Sequence, residues 1–199
     1  LAARGRLADA DRALAESSRA HAARGLTGEA LLEELRRAWI IAELRGDRIA
    51  AAARFDAVLR DPAYEQLGPR DRPLAQVTLY ATALHDAERA DTLLRAFADG
   101  GGSEPGRVRP FLRDYLAGRV LALRAQTLPN AAEALHRAFA GPCAACAPQA
   151  LARVFDAMAM PDSALAHYER WAAAGEGLWV GPGFYDVTQA RTYFRMGEL

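Results

Sequence analysis

Two cysteines three positions apart, Cys143-Ala144-Ala145-Cys146, come closest in this chain to a reactive motif. Thiolates at that spacing can hold zinc, exchange disulfides or anchor a haem, and each use has a further requirement. A structural zinc site needs two more Cys or His ligands. There is no second CxxC, and of His21, His85, His136 and His167 only His136 is near in sequence. Thioredoxin-like exchange needs a βαβ setting. Haem attachment needs His directly after the second Cys, where this chain has Ala147. Two readings stay open: a local disulfide, if the segment is extracytoplasmic, or two small half-buried thiols at a helix start.

No Ser or Cys stands beside a His and an acid at a spacing that suggests a hydrolytic triad. His85 falls in an expected turn, and His136 and His167 read as ordinary surface or edge residues. Asp and Glu read as solvated helix faces and i,i+4 partners of Arg, with no acid–base pair among them. The run Gly100 to Ser103 lacks a preceding strand and a following Gly-Lys-Ser/Thr, so it reads as a flexible connector rather than a phosphate loop. All 25 basic residues are Arg, which removes every lysine-based mechanism from these residues. The net charge is zero, so no whole-chain field draws nucleic acid or anionic membrane. The expectation is a chain without catalytic residues, cofactor or metal.

The elements that would position any site are helices. Ala and Leu dominate, and Val and Ile are scarce. Breakers at Gly25 to Gly28, Pro62, Gly68-Pro69, Gly100 to Pro110, Gly141-Pro142, Pro148, Pro161 and Gly181 to Gly183 separate stretches with apolar periods of three and four. The bulky apolar run around Ala38 to Ala42 is too short to span a bilayer, and no apolar stretch follows the first arginines as in a signal peptide. Leu1 and Gly197-Glu198-Leu199 read as cuts through a longer polypeptide.

One pattern recurs. A small residue is followed four positions later by a large apolar one and three later by another helix-face residue. The instances are Ala10-Leu14-Ser17, Ala51-Phe55-Val58, Ala90-Leu94-Phe97, Ala131-Leu135-Ala138 and Ala164-Tyr168-Trp171, with leading alanines 41, 39, 41 and 33 residues apart. Each follows a turn. The small residue lets a second helix approach the first, and the residue one turn on fills the gap. A single pair cannot bury its own apolar face, so pairs must stack. The aromatics Trp39, Phe55, Tyr80, Phe97, Phe139, Phe155, Tyr168 and Trp171 fall on helical core positions. Trp179, Phe184 and Tyr185 sit in or just after the Gly-rich stretch Gly175 to Gly183, which they would pin to the helices.

The best unit is Leu151-Ala152-x-x-Phe155 followed by Ala164, Tyr168 and Trp171, with Pro161-Asp162-Ser163 opening the second helix and Asp162 or Ser163 as N-cap. It resembles the tetratricopeptide repeat (TPR) family, with Trp in place of the last small residue. Tyr193-x-x-Met196-Gly197 is similar to the opening of a next unit. Trp39 and Arg119 depart from the pattern, standing where the family has Gly or Ala, which implies turns one residue longer. The resemblance implies an all-α, right-handed superhelical stack of antiparallel helix pairs. It would form one domain over 1–199, with units at 1–17 (partial), 29–60, 71–99, 111–140, 148–174 and 184–199 (partial). More weakly, the segment resembles the repeat region that follows the kinase domain in some bacterial Ser/Thr kinases and related signalling proteins, on phrases such as Pro161-Asp162-Ser163-Ala164-Leu165-Ala166-His167-Tyr168.

By that resemblance the chain is a protein–protein interaction or scaffolding module, or a regulatory segment of a larger signalling enzyme whose catalytic domain lies elsewhere. It would be cytoplasmic, or the extracytoplasmic part of a membrane-anchored protein, and would not itself insert in a membrane. Family groove positions, carried onto this chain, are Arg36, Ile40, Glu43, Arg72, Leu79, Arg113, Arg124, Gln149, Arg153, Asp156 and Arg191. Arg outnumbers acid in this set, which suits an acidic or carboxylate-bearing protein or peptide. A second copy of the chain is a further expected partner, and nucleic acid is not.

Overall fold

The computed structural model describes residues 5–101, 109–139, 146–174 and 192–199. Among these residues every element is helical. The helices are α1 (Leu7–Ala23), α2 (Thr27–Arg45), α3 (Arg48–Leu59), α4 (Pro62–Gln66), α5 (Leu74–Ala83), α6 (Ala87–Ala98), α7 (Arg109–Leu121), α8 (Leu128–Phe139), α9 (Cys146–Ala157) and α10 (Pro161–Ala174). A last one, α11, covers 192–198, and a single 3-10 turn (Ala125–Thr127) precedes α8. No helix among the described residues is long and apolar enough to cross a membrane.

Several of the sequence's prolines stand at the starts of helices, on the boundaries between helical stretches. Pro62 and Pro161 are the first residues of α4 and α10, and Pro110, Pro129 and Pro148 lie in the first turns of α7, α8 and α9. First-turn N–H groups have no intrahelical partner, so proline costs nothing there. This placement also corrects the expected cap of α10: Asp162 and Ser163 sit inside the first turn, with Met160 before it. Asp162 is well placed there to face the positive end of the helix dipole. Side-chain caps form at Asp47, Asp61 and Asp86, whose carboxylates accept from the N–H groups of Ala50, Ala63 and Arg89 at 3.0, 2.8 and 3.1 Å.

The chain divides into two compact units, residues 1–104 and 105–199. In the first, α2 packs on α1, α3 and α5, α5 packs on α6, and α4 lies against α2 and α3. In the second, α7 packs on α8, α8 on α9 and α9 on α10. The repeated alanines lie where tight helix contact requires them: Ala51, Ala90, Ala131 and Ala164 have no exposed surface, and Phe55, Phe97, Leu135, Tyr168 and Trp171 are buried beside them.

The register departure has a simple geometry. A Cβ placed on Gly118 would lie 2.5 Å from Leu135 Cγ and 3.1 Å from the Ala131 carbonyl. The close approach of α7 and α8 therefore falls on Gly118, one position before Arg119. Gly118 and Ala131 are 13 residues apart, as are buried Ala38 and Ala51, against 12 for Ala152 and Ala164.

Helix ends share a stop signal. Gly25, Gly100, His85 and Ala159 have φ values of 74°, 97°, 59° and 55°. After each, the next N–H reaches back five residues: Leu26 to His21 O (3.0 Å), Gly101 to Ala96 O (3.1 Å), Asp86 to Ala81 O (3.1 Å) and Met160 to Phe155 O (2.9 Å). These bonds are Schellman closures, and two of the four use a residue with a side chain in the left-handed region. Gly101 is not part of a loose connector, because a Cβ there would meet Leu74 Cδ1 at 2.7 Å and the Ala96 carbonyl at 2.8 Å.

Candidate interaction surfaces

Arg36 and Glu33 form the centre of the first unit's polar seam. Glu33 is buried on α2, Arg36 Nη1 donates to both its oxygens at 2.8 Å, and Ser17 Oγ of α1 donates at 3.3 Å. His21 Nε2 stands 3.9 Å away. Tyr80 of α5 completes the group; burial pushes its hydroxyl well up, with Arg36 opposing. A guanidinium occupied in this way is a helix-to-helix tie, and the expectation that acids here are solvated fails at Glu33. A second network joins α1, α2 and α3. Arg37 donates from Nε and Nη2 to Asp11 at 2.8 and 3.0 Å and from Nη1 to Glu34 at 2.9 Å, and Arg54 donates to Glu34 at 2.9 Å. The hydrogen bond from Arg37 holds the Asp11 carboxyl below its ordinary range.

Of the other first-unit groove positions, Ile40 is buried in the core, which removes it from any open surface. Glu43 and Leu79 are half-buried on α2 and α5. Arg72 precedes α5 instead of lying on it. Its guanidinium donates to the carbonyls of Leu67 and Glu65, both at 3.2 Å, and lies over the Tyr64 ring at 5.2 Å. It fixes the α4–α5 connection.

In the second unit Arg113 is exposed on α7 and Arg153 is half-buried on α9; Arg124 is half-buried just before the 3-10 turn. Gln149 and Asp156 face α11. Gln149 Nε2 donates to Thr192 Oγ1 at 3.2 Å, and Arg195 donates from Nε and Nη2 to the two oxygens of Asp156 at 2.8 and 2.7 Å. That bidentate bond holds the Asp156 carboxyl below its usual range. Met196 and Leu199 pack against Ala152, Ala164 and Tyr168, and the Tyr193 ring lies 5.9 Å from Trp171. Gln149 and Asp156 are thus contacts to a helix of the same chain, not open groove positions. Arg191, Trp179, Phe184, Tyr185 and Cys143 lie outside the described residues; Cys146 opens α9, with its side chain outside them.

His167 departs from its expected place at the surface. It is buried, stacked at 5.3 Å and 10° on Phe155, and 5.7 Å from His136, and its Nδ1 has no hydrogen-bond partner. Burial pushes its pKa down, and Arg170 and His136 add to the effect. Phe139, expected in the core, is 40% exposed. Period and spacing carried no sign of the Glu33 and His167 clusters, since both depend on which helix covers a side chain. The docking of α11 had one signal, the Tyr193-x-x-Met196-Gly197 phrase.

Among the described residues no three His, Cys, Asp or Glu gather as metal ligands would. No protein-family model, curated protein or solved structure matches this chain.

Proposed function

We propose that the chain is an interaction module that offers the outer faces of successive helix hairpins to a protein or peptide, in a TPR-like arrangement. The observation that carries this reading is the recurring seam, with Ala51, Ala90, Ala131 and Ala164 all fully buried. A chain that repeats one hairpin spends its small residues on stacking, and its helix faces remain as surface. Within the second unit α7 and α9 both pack on α8 and carry Arg113 and Arg153. Forked guanidinium donors on such faces suit an acidic peptide.

The test measures fluorescence anisotropy of labelled acidic decapeptide pools against the full chain. Arg113→Ala and Arg153→Ala each weaken binding about tenfold or more, the loss of a charge-assisted hydrogen bond of about 1.5–3 kcal/mol. Arg137→Ala and Arg170→Ala, on second helices, leave it within about twofold. The reverse pattern, or no binding by the parent, overturns the acidic-ligand reading.

A further inference from the structure

The contact between α11 and the α9–α10 face has the form of a ligand in a site. Thr192, Arg195, Met196 and Leu199 stand at i, i+3, i+4 and i+7, one stripe of a helix. All four meet the same face: Thr192 bonds Gln149, Arg195 bonds Asp156, and Met196 and Leu199 pack on Ala152, Ala164 and Tyr168. Phe194, off that stripe, is 70% exposed. The ion pair that anchors α11 is partly open to solvent, with side-chain exposures of 40% for Arg195 and 24% for Asp156. Segments held in this way open at low cost.

We infer that the α9–α10 face of the second unit is a helix-recognition site that the chain's own α11 occupies and guards. The ligand class is a separate short amphipathic helix that carries Arg three positions after a small polar residue and apolar side chains at the next position and one turn on. Asp156 selects the Arg, Gln149 the polar head, and the Ala152–Ala164–Tyr168 patch the apolar pair. The inference rests on the interaction-module reading but uses different residues and a ligand of opposite charge, so the two can fail separately.

The probe is a fluorescein-labelled peptide of residues 190–199, titrated against full-length chains. In Arg195→Glu/Met196→Asp the internal segment is displaced, and the peptide binds at least tenfold more tightly than to the parent, whose α11 competes. Adding Asp156→Arg to a chain opened instead by Arg195→Ala/Met196→Asp abolishes binding, and a peptide carrying Arg195→Glu restores it. Arg195→Ala alone, a milder opening, gives an intermediate affinity. Equal affinity of parent and opened chains overturns the inference, as does failure of the charge-swapped peptide to restore binding. Loss of the second unit's cooperative melt in every opened variant also overturns it, because α11 is then core. A concentration-dependent parent dimer that the peptide dissolves would replace the separate partner with a second copy.

Discussion

The two units close their seams by different chemistry. In the first, arginines bridge neighbouring helices, Arg37 to Asp11, Arg54 to Glu34 and Arg89 to Asp56, and Arg36 pairs with the buried Glu33. In the second, His136, Phe155 and His167 meet where α8, α9 and α10 pack, and Gly118 of α7 lies against Leu135 of α8; ion pairs also cross, Arg137 to Asp114 and Arg195 to Asp156. The same hairpin pattern can thus lean more on partly buried ion pairs or more on close ring and glycine contacts. A charged seam tolerates small changes of volume but not the loss of a partner. A close-packed seam has the opposite weakness.

The largest effect that separates them is steric. Gly118→Ala, which helix propensity alone would favour by about 1 kcal/mol, lowers the stability of the second unit by about 1–3 kcal/mol, because the new methyl meets Leu135 and backbone. Ala164→Leu acts in the same direction. Differential scanning calorimetry on the full chain reads this as a lower second-unit transition with the first unmoved. A single, unaltered transition would break the contrast.

Next is the loss of a partner. Glu33→Ala leaves Arg36 and Ser17 without their acceptor and costs the first unit about 2 kcal/mol, within the range for an unsatisfied part-buried group. Urea titration followed by far-ultraviolet circular dichroism measures it. A midpoint within error of the parent would mean that the seam is held by packing alone.

Acid sharpens the comparison with a smaller effect. His167 takes up a proton less readily folded than unfolded, where its ordinary value is 6.5. The unfolded state therefore binds more protons, and the second unit loses stability as pH falls below about 6.5, until the folded imidazole itself titrates. His167→Phe removes this slope. Asp156 is shifted down from 3.8, so its contribution is present above that value and is lost only as pH falls further. Melting temperatures between pH 8 and 3 resolve the two windows; an unchanged slope in His167→Phe would assign the acid response elsewhere.

The smallest change is a gain. Ala159→Gly relieves a left-handed backbone at a position already closed by the Met160 N–H, and adds about 1 kcal/mol or less to the second unit. A fall in melting temperature would show that the methyl packs usefully.

The seam was legible because it is local. Tight contact needs a small residue, a filler one turn on and a turn before both, and the helical period writes that order into the chain at Ala51, Ala131 and Ala164. The prolines marked helix boundaries, but which side of the boundary Pro62 and Pro148 take depends on where a helix begins, and a count of breakers does not contain that. Ile40, His167 and Asp156 were misplaced for another reason. Each lies on a helix whose surface depends on what covers it, and the cover comes from other helices: Arg195 lies 39 residues beyond Asp156. Arg72 was misplaced because α5 begins after it, and it turns back on its own connection. Gly118 was missed by one position, because a longer connection shifts the contact without disturbing the period.

The self-closing stops at Gly25, His85, Gly100 and Ala159 bear on how such a chain can vary. Each satisfies the carbonyls of the helix before it with backbone groups of its own next two residues. A helix that ends in such a stop carries its own hydrogen-bonded terminus, so its end asks nothing of the segment that follows, and the connection after it is free to vary in length and sequence.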